Sequence, residues 1–298
     1  MAANEQRADV TGLLSRAAEA FAAGVPGEPA DDGYFGPSSV TWRTSHDLSG
    51  VVAGLRALVI QALHPLAMAG VDQHSHWRSD PAGRLAATAG YLSAVSFGDR
   101  AMADRAAARV RKIHEHVTGV EPETGMPYRA SDPELLLWVH AALVDSAVVA
   151  RDLYGTPLPP AAADRYVAEM VAAAELIGVP RDRVPADVAS LRAYLESMRP
   201  RLRCTPAARE AIAHVLSLPE MDADVAEFWR DIREAVVTSL PDWAVRLYGD
   251  EPAPPLTPER RTEIRQALGV LDVLFEAAPG ALEARQRLTL RIRQAERA

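Results

Sequence analysis

The run Arg109-Val-Arg-Lys-Ile-His114-Glu-His-Val117 concentrates imidazole, guanidinium and carboxylate groups within one short stretch of a 298-residue chain. It lies between Asp99, a favourable N-cap, and Gly119, a favourable helix stop, so it reads as the late part of one helix. At 3.6 residues per turn, Ala107, Val110, Arg111 and Val117 share the face of His114. Glu115 and His116 point elsewhere, so the His-Glu-His triplet cannot chelate one metal ion while it stays helical. A single imidazole on an apolar face, with an arginine one turn behind it, suits haem: the iron takes one axial histidine and the propionates take cationic donors. The same spacing also fits a core histidine satisfied by its neighbours, and spacing alone leaves both readings open.

A second line of polar groups precedes this run. Asp80-Pro81 opens a helix with an N-cap and a first-turn proline, and within it Arg84 and Thr88 are four residues apart, with Tyr91 a further turn along. The arginine could anchor a carboxylate and a hydroxyl could donate to a bound ligand. The alternative is a surface arginine and a threonine bonding its own backbone. Phe97-Gly98-Asp99 turns this helix into the His114 helix, so the two can present their faces to one flat ligand. His64, before Pro65 at a helix break, either points into a cavity or caps free carbonyls. His140, in the middle of an apolar helix, is either close to the pocket or a hydrogen-bond hub with Asp145 or Ser146. His74 and His76 could grip a divalent ion, but no carboxylate or cysteine stands at a supporting spacing.

The elements that must position these groups are helical. Val10, Leu13, Leu14, Ala17 and Phe21 mark a helix over 4–23, followed by a Pro/Gly/Asp-rich connection over 24–39. Val40–Thr44 reads as a short strand. The next helix, Leu48 to about Leu63, carries Gly50 and Gly54, which would allow a neighbour's backbone to approach closely. Ser131-Asp-Pro-Glu134 reads as a capping box launching a helix, Leu135 to Ala150, that is apolar nearly all round and so belongs in the centre of the domain. Further helices are expected over 159–176, 185–198, 205–216, 221–240, 257–277 and 282–298, with 249–255 as the best linker. The fold expected is all-α, a globin-like or orthogonal multi-helix bundle enclosing a haem pocket. It divides into an N-terminal helix and connection (1–44) and a main domain (45–298).

Composition narrows the function further. A hydrophobic content of 48% supplies an ample core. A net charge of −8 argues against nucleic acid, which asks for clustered Lys and Arg. The single cysteine, Cys204, excludes an intramolecular disulfide, a cysteine-cluster metal site and a Cys-x-x-Cys-His haem attachment, so any haem is non-covalent haem b. No basic region followed by an apolar core opens the chain, and Val51–Val71 is interrupted by Arg56, His64 and Pro65, so no secretory signal or membrane span is expected. A cytoplasmic protein is expected, and the abundance of Ala and Arg beside one lysine, Lys112, suggests a bacterial GC-rich genome. There is no nucleophile elbow, phosphate loop, dinucleotide fingerprint or paired Glu-x-x-His.

Four segments carry a resemblance to a known family: Gln61-Ala-Leu-His-Pro-Leu-Ala-Met-Ala-Gly-Val71, Arg84-Leu-Ala-Ala-Thr88, Arg109–Val117 with Gly119, and Tyr128-Arg-Ala-Ser-Asp-Pro-Glu-Leu-Leu-Leu-Trp-Val-His140. In order and spacing the chain resembles, over about residues 45 to 270, the family of the oxygenase MpaB and the rubber oxygenases. The resemblance implies a helical protein that holds non-covalent haem b on a proximal histidine and activates dioxygen against a carbon substrate. It makes His114 the axial iron ligand, with Arg84 and Thr88 in the haem pocket. Arg111 is a second candidate for the propionates, and His64 and His140 are candidates beside the cofactor. Rubber oxygenases carry a lysine immediately before the pocket threonine; here that position is Ala87, which leaves room for oxygen and substrate and speaks against polyisoprene. The reading is therefore a haem b-dependent oxidoreductase acting on an apolar or small organic substrate with dioxygen or peroxide, with an electron donor as a further partner. A haem-binding gas sensor with a second axial histidine, His64 or His140, and a cofactor-free helical interaction protein are the alternatives.

Overall fold

Asp132 begins the central helix of this computed structural model, which describes residues 10–44, 49–216 and 223–297. Its carboxylate accepts from the Glu134 amide at 2.8 Å, and Pro133 follows in the first turn, where its missing N–H costs nothing. The cap lies one residue later than Ser131, and no box closes, because the Glu134 carboxylate pairs with Arg201 and Arg183. The helix so launched, α7 (Pro133–Tyr154), buries Leu135, Leu136, Leu137, Trp138, Ala141 and Val144 on all sides. By length and hydropathy it could cross a membrane, yet 61% of that apolar window is buried inside the molecule, as in the core helix of a globular fold.

Around it stand α3 (Ser49–Ala62), α4 (Pro65–His74), α8 (Pro160–Ile177), α9 (Val188–Met198), α11 (Ala223–Ser239) and α13 (Pro258–Glu276), all in contact with α7. The core so formed includes Ile60, Leu63, Trp138, Val167, Leu191 and Leu195. Each large apolar side chain taken from water there contributes about 1.5–3 kcal/mol. The fourteen α-helices among the described residues include α10 (Pro206–Leu216), α12 (Asp242–Tyr248) and α14 (Ala281–Ala295), and the architecture is all-α. The short helix α12 was not legible in the sequence. The expected starts at Asn4, Leu48 and Met221 lie outside the described residues.

Val40–Thr44, expected as a strand, is the short helix α2. The run Val-Thr-Trp-Arg-Thr has the β-branched composition of a strand, but Glu169 on α8 overrides it. That carboxylate accepts from the Val40 and Thr41 amides at 3.2 and 2.8 Å and from Thr41 Oγ1 at 2.9 Å, satisfying the donors that a helix N-terminus exposes. Gly50 and Gly54 are not approached by a neighbour: the space beside each is open.

The two helices that carry the chemistry are α5 (Pro81–Phe97) and α6 (Arg100–His116). Asp80 and Asp99 cap them as expected, accepting from Gly83 and Met102 amides. They pack on one another across the Gly98–Asp99 turn. The opposite side of α5 is held by α1 (Val10–Ala23): Gly24 lets the chain approach Ser93, whose hydroxyl donates to the Phe21 carbonyl at 2.7 Å. Phe21 stacks edge-on against Phe97 and Phe275. Helix α6 ends at His116, short of Gly119, because the chain then turns into a two-stranded antiparallel hairpin, β1 (Thr118–Val120) with β2 (Pro127–Arg129). Gly119 serves that hairpin: a Cβ there would stand 2.6 Å from the Tyr128 hydroxyl and from Gln73.

Candidate functional site

Helix α6 turns His114 inward only in part. Its Nδ1 is buried with no hydrogen-bond partner, and Nε2 makes no hydrogen bond among the described residues. Burial lowers its pKa, so the ring is neutral at pH 7, the form that ligates a metal. Helix α5 places Arg84 likewise: the guanidinium is partly buried, burial depresses its pKa, and no carboxylate opposes that effect. Its one hydrogen bond goes to the Ser75 hydroxyl, at the end of α4. Ser75 carried no sequence signal, since nothing local predicts that a residue past α4 meets a side chain of α5.

The remaining candidates separate. Thr88 is exposed, and Oγ1 donates to the Arg84 carbonyl at 3.1 Å, the backbone-bonded alternative weighed from the sequence. Arg111 is exposed and donates to the Leu176 carbonyl of α8, tying α6 to that helix. Its charge also reaches Tyr91, whose phenol burial pushes up to about 12 while Arg111 opposes the rise. His140 is 7% exposed and makes no hydrogen bond among the described residues; burial pushes its pKa down to about 4. The expected hub with Asp145 or Ser146 does not form, because both bond Arg56 at 2.8 Å. His64 is the N-cap residue of α4, yet its side chain caps nothing. Its Nδ1 is buried without a partner, its ring lies 6.1 Å from that of Trp138, and burial, helped by Arg201, pushes its pKa down to about 4. The structure thus gathers Arg84, Tyr91, Arg111 and His114 on the α5–α6 pair. His140 stands on α7, and His64 stands beside Trp138 at the 106° bend between α3 and α4.

Apolar surface is exposed next to these groups. Leu85 and Val139, neighbours in sequence of Arg84 and His140, are each 37% exposed, and Ile113, next to His114, is 52% exposed. His74 and His76 form no metal grip: among the described residues no group of three or more His, Cys, Asp or Glu could hold a metal ion, and His74 Nε2 donates to the Thr118 carbonyl at 3.1 Å. A separate groove, lined among others by Val237, Asp242, Arg246 and Glu251, includes none of the candidate residues.

An all-α frame thus carries a half-buried neutral imidazole on α6 and, on the adjacent α5, a guanidinium that meets no carboxylate among the described residues. Residues 42–273 match the family described as ER-bound oxygenase mpaB/B'/rubber oxygenase, catalytic domain. The match spans most of the chain, and the chain belongs to this family of oxygenase catalytic domains, whose chemistry joins dioxygen to an organic substrate. No curated protein and no solved structure matches it.

Proposed function

We propose that the protein is a haem b-dependent oxygenase that holds its cofactor between α5 and α6 on His114 Nε2, with Arg84 meeting a propionate. The observation that carries this reading is the pair of unfinished groups: an imidazole neither of whose nitrogens has a hydrogen-bond partner among the described residues, and a desolvated guanidinium that meets no carboxylate there. A partly buried cation that meets no carboxylate carries a modest desolvation cost, which a propionate would offset. With no covalent attachment available, the haem is the exchangeable b-type. When bound it supplies the one-electron and dioxygen chemistry that side chains lack.

The chain's own part is to hold and to shield. His114 is kept neutral by burial, and among the described residues Nδ1 meets no acceptor that would raise the basicity of the ring. Leu85, Ala87 and Val139 offer apolar surface beside the polar groups, so an apolar or small organic substrate fits, with dioxygen or peroxide as oxidant. Ala87 presents no amine to cap the iron.

One observation favours a second reading. His140 is buried, neutral and without a hydrogen bond, and if it supplied a second axial ligand the protein would bind haem without turnover, as a gas sensor does. The absorption spectrum of the chain expressed with haem decides among these readings. A Soret band that is lost or strongly shifted in His114→Ala supports the proposal. A low-spin six-coordinate spectrum that opens in His140→Ala favours the sensor. The absence of a Soret band in the wild type, or a band unchanged in His114→Ala, overturns the proposed site.

A further inference from the structure

Thr88 is the hydroxyl that sequence spacing offers to a bound ligand, and in the structure it is bonded to its own helix. A hydroxyl has one proton to give, and Thr88 gives it to the Arg84 carbonyl, on an exposed part of α5. The next hydroxyl along the same helix belongs to Tyr91. Its ring is partly buried against the core cluster that contains Val95 and Trp138, so packing fixes the body of the phenol. The O–H makes no hydrogen bond among the described residues. From the facing helix α6 the charge of Arg111 reaches it, and Arg111 shares a helix face with His114, three residues on.

We infer that Tyr91 supplies the hydrogen-bond donor for a diatomic ligand, of the size of dioxygen or cyanide, held between α5 and α6. The inference deepens the haem-oxygenase reading and rests on it. Burial keeps the phenol protonated far above neutral pH, so the donor is present throughout the working range. A donor anchored by core packing needs no reorganisation when charge builds up on its acceptor, and that is the condition under which one hydrogen bond counts most. Thr88 could not do this without breaking its bond to the backbone.

The test uses the full chain loaded with haem, comparing wild type, Tyr91→Phe and Thr88→Val. Phenylalanine keeps the ring packing and removes only the hydroxyl. The readouts are the C–O stretching frequency of the carbon monoxide complex and the rate of cyanide release from the ferric protein. A donor to the bound diatomic lowers that frequency and slows release. Tyr91→Phe is therefore expected to raise the frequency and to release cyanide roughly five- to tenfold faster, with both readouts unchanged in Thr88→Val. An unaltered frequency and release rate in Tyr91→Phe, or a response in Thr88→Val alone, overturns the inference. Weaker haem retention in Tyr91→Phe with both readouts unmoved also overturns it, by placing the phenol at the edge of the macrocycle. A wild type that takes up no haem is a different failure: it removes the proposed function, and the role of Tyr91 with it.

Discussion

Arg56 and Arg84 are both guanidinium groups drawn out of water, and the fold completes one and leaves the other open. Arg56, on α3, is 3% exposed; Nη1 donates to Asp145 and Ser146 of α7, and Nε donates to the Ser239 carbonyl at the end of α11 at 3.0 Å. Burial depresses its pKa, and Asp145 is the main group opposing that effect. Arg84, on α5, meets only the neutral hydroxyl of Ser75, and nothing opposes the effect of burial. The first arginine locks three helices together with groups from the chain itself. The second is left without a carboxylate among the described residues, and on the neighbouring helix α6 the Nδ1 of His114 is likewise without a partner. Under the proposed function, the paired arginine is scaffold and the open one is a ligand contact.

The sharpest way to break this comparison is to remove the partner of the completed arginine. Asp145→Ala leaves Arg56 buried and unpaired and is expected to cost about 3–5 kcal/mol in urea unfolding, with haem bound per folded molecule unchanged. A loss of less than about 1 kcal/mol would mean that the pair is scaffold in appearance only.

Acid tests the neutral imidazoles next. In the folded chain His64 and His140 hold pKa values of about 4, below the ordinary value of 6.5 that they regain on unfolding. As pH falls from 6.5, the unfolded chain therefore binds protons before the folded one does. Stability is intact above pH 6.5 and declines down to about pH 4. At pH 5 each histidine is expected to remove about 2 kcal/mol relative to pH 7. Urea midpoints of the haem-free protein at the two pH values measure this, and His140→Leu should remove about 2 kcal/mol of the drop. An identical drop in that variant would show that His140 is already charged or solvated in the folded state.

The smallest expected effect completes the comparison from the other side. Arg84→Met removes a cation that no carboxylate partners, so unfolding free energy should change by less than about 1 kcal/mol. Haem affinity should fall about tenfold or more, as expected for a lost charge-assisted contact. A loss of stability larger than the loss of haem affinity would assign Arg84 to the scaffold beside Arg56.

How much of this was legible beforehand follows the reach of each interaction. Asp80, Asp99 and Thr257 act on amides three residues away, so a reader of the sequence can place the starts of α5, α6 and α13. Helix α7 was legible because a run apolar on every side has nowhere to go but the centre. The helix at Val40–Thr44 was not, because its cap, Glu169, arrives from well over a hundred residues away. The hairpin after α6 was not, because strands of three residues are too short to show an alternation.

The same division runs through the site. The sequence by itself determined that α5 and α6 are consecutive and that Arg84, Thr88 and Tyr91 lie along one helix and Arg111 and His114 along the next, since helical periodicity is a local property. Only the tertiary structure decided which of those groups remain available. Arg111 is tied to Leu176, Asp145 and Ser146 turn to Arg56 and leave His140 without either, and among the described residues the Tyr91 hydroxyl and His114 Nε2 stay without a partner. A hydrogen bond depends on where two groups stand in space, and the spacing of residues along a chain carries that information only within a helical turn or two.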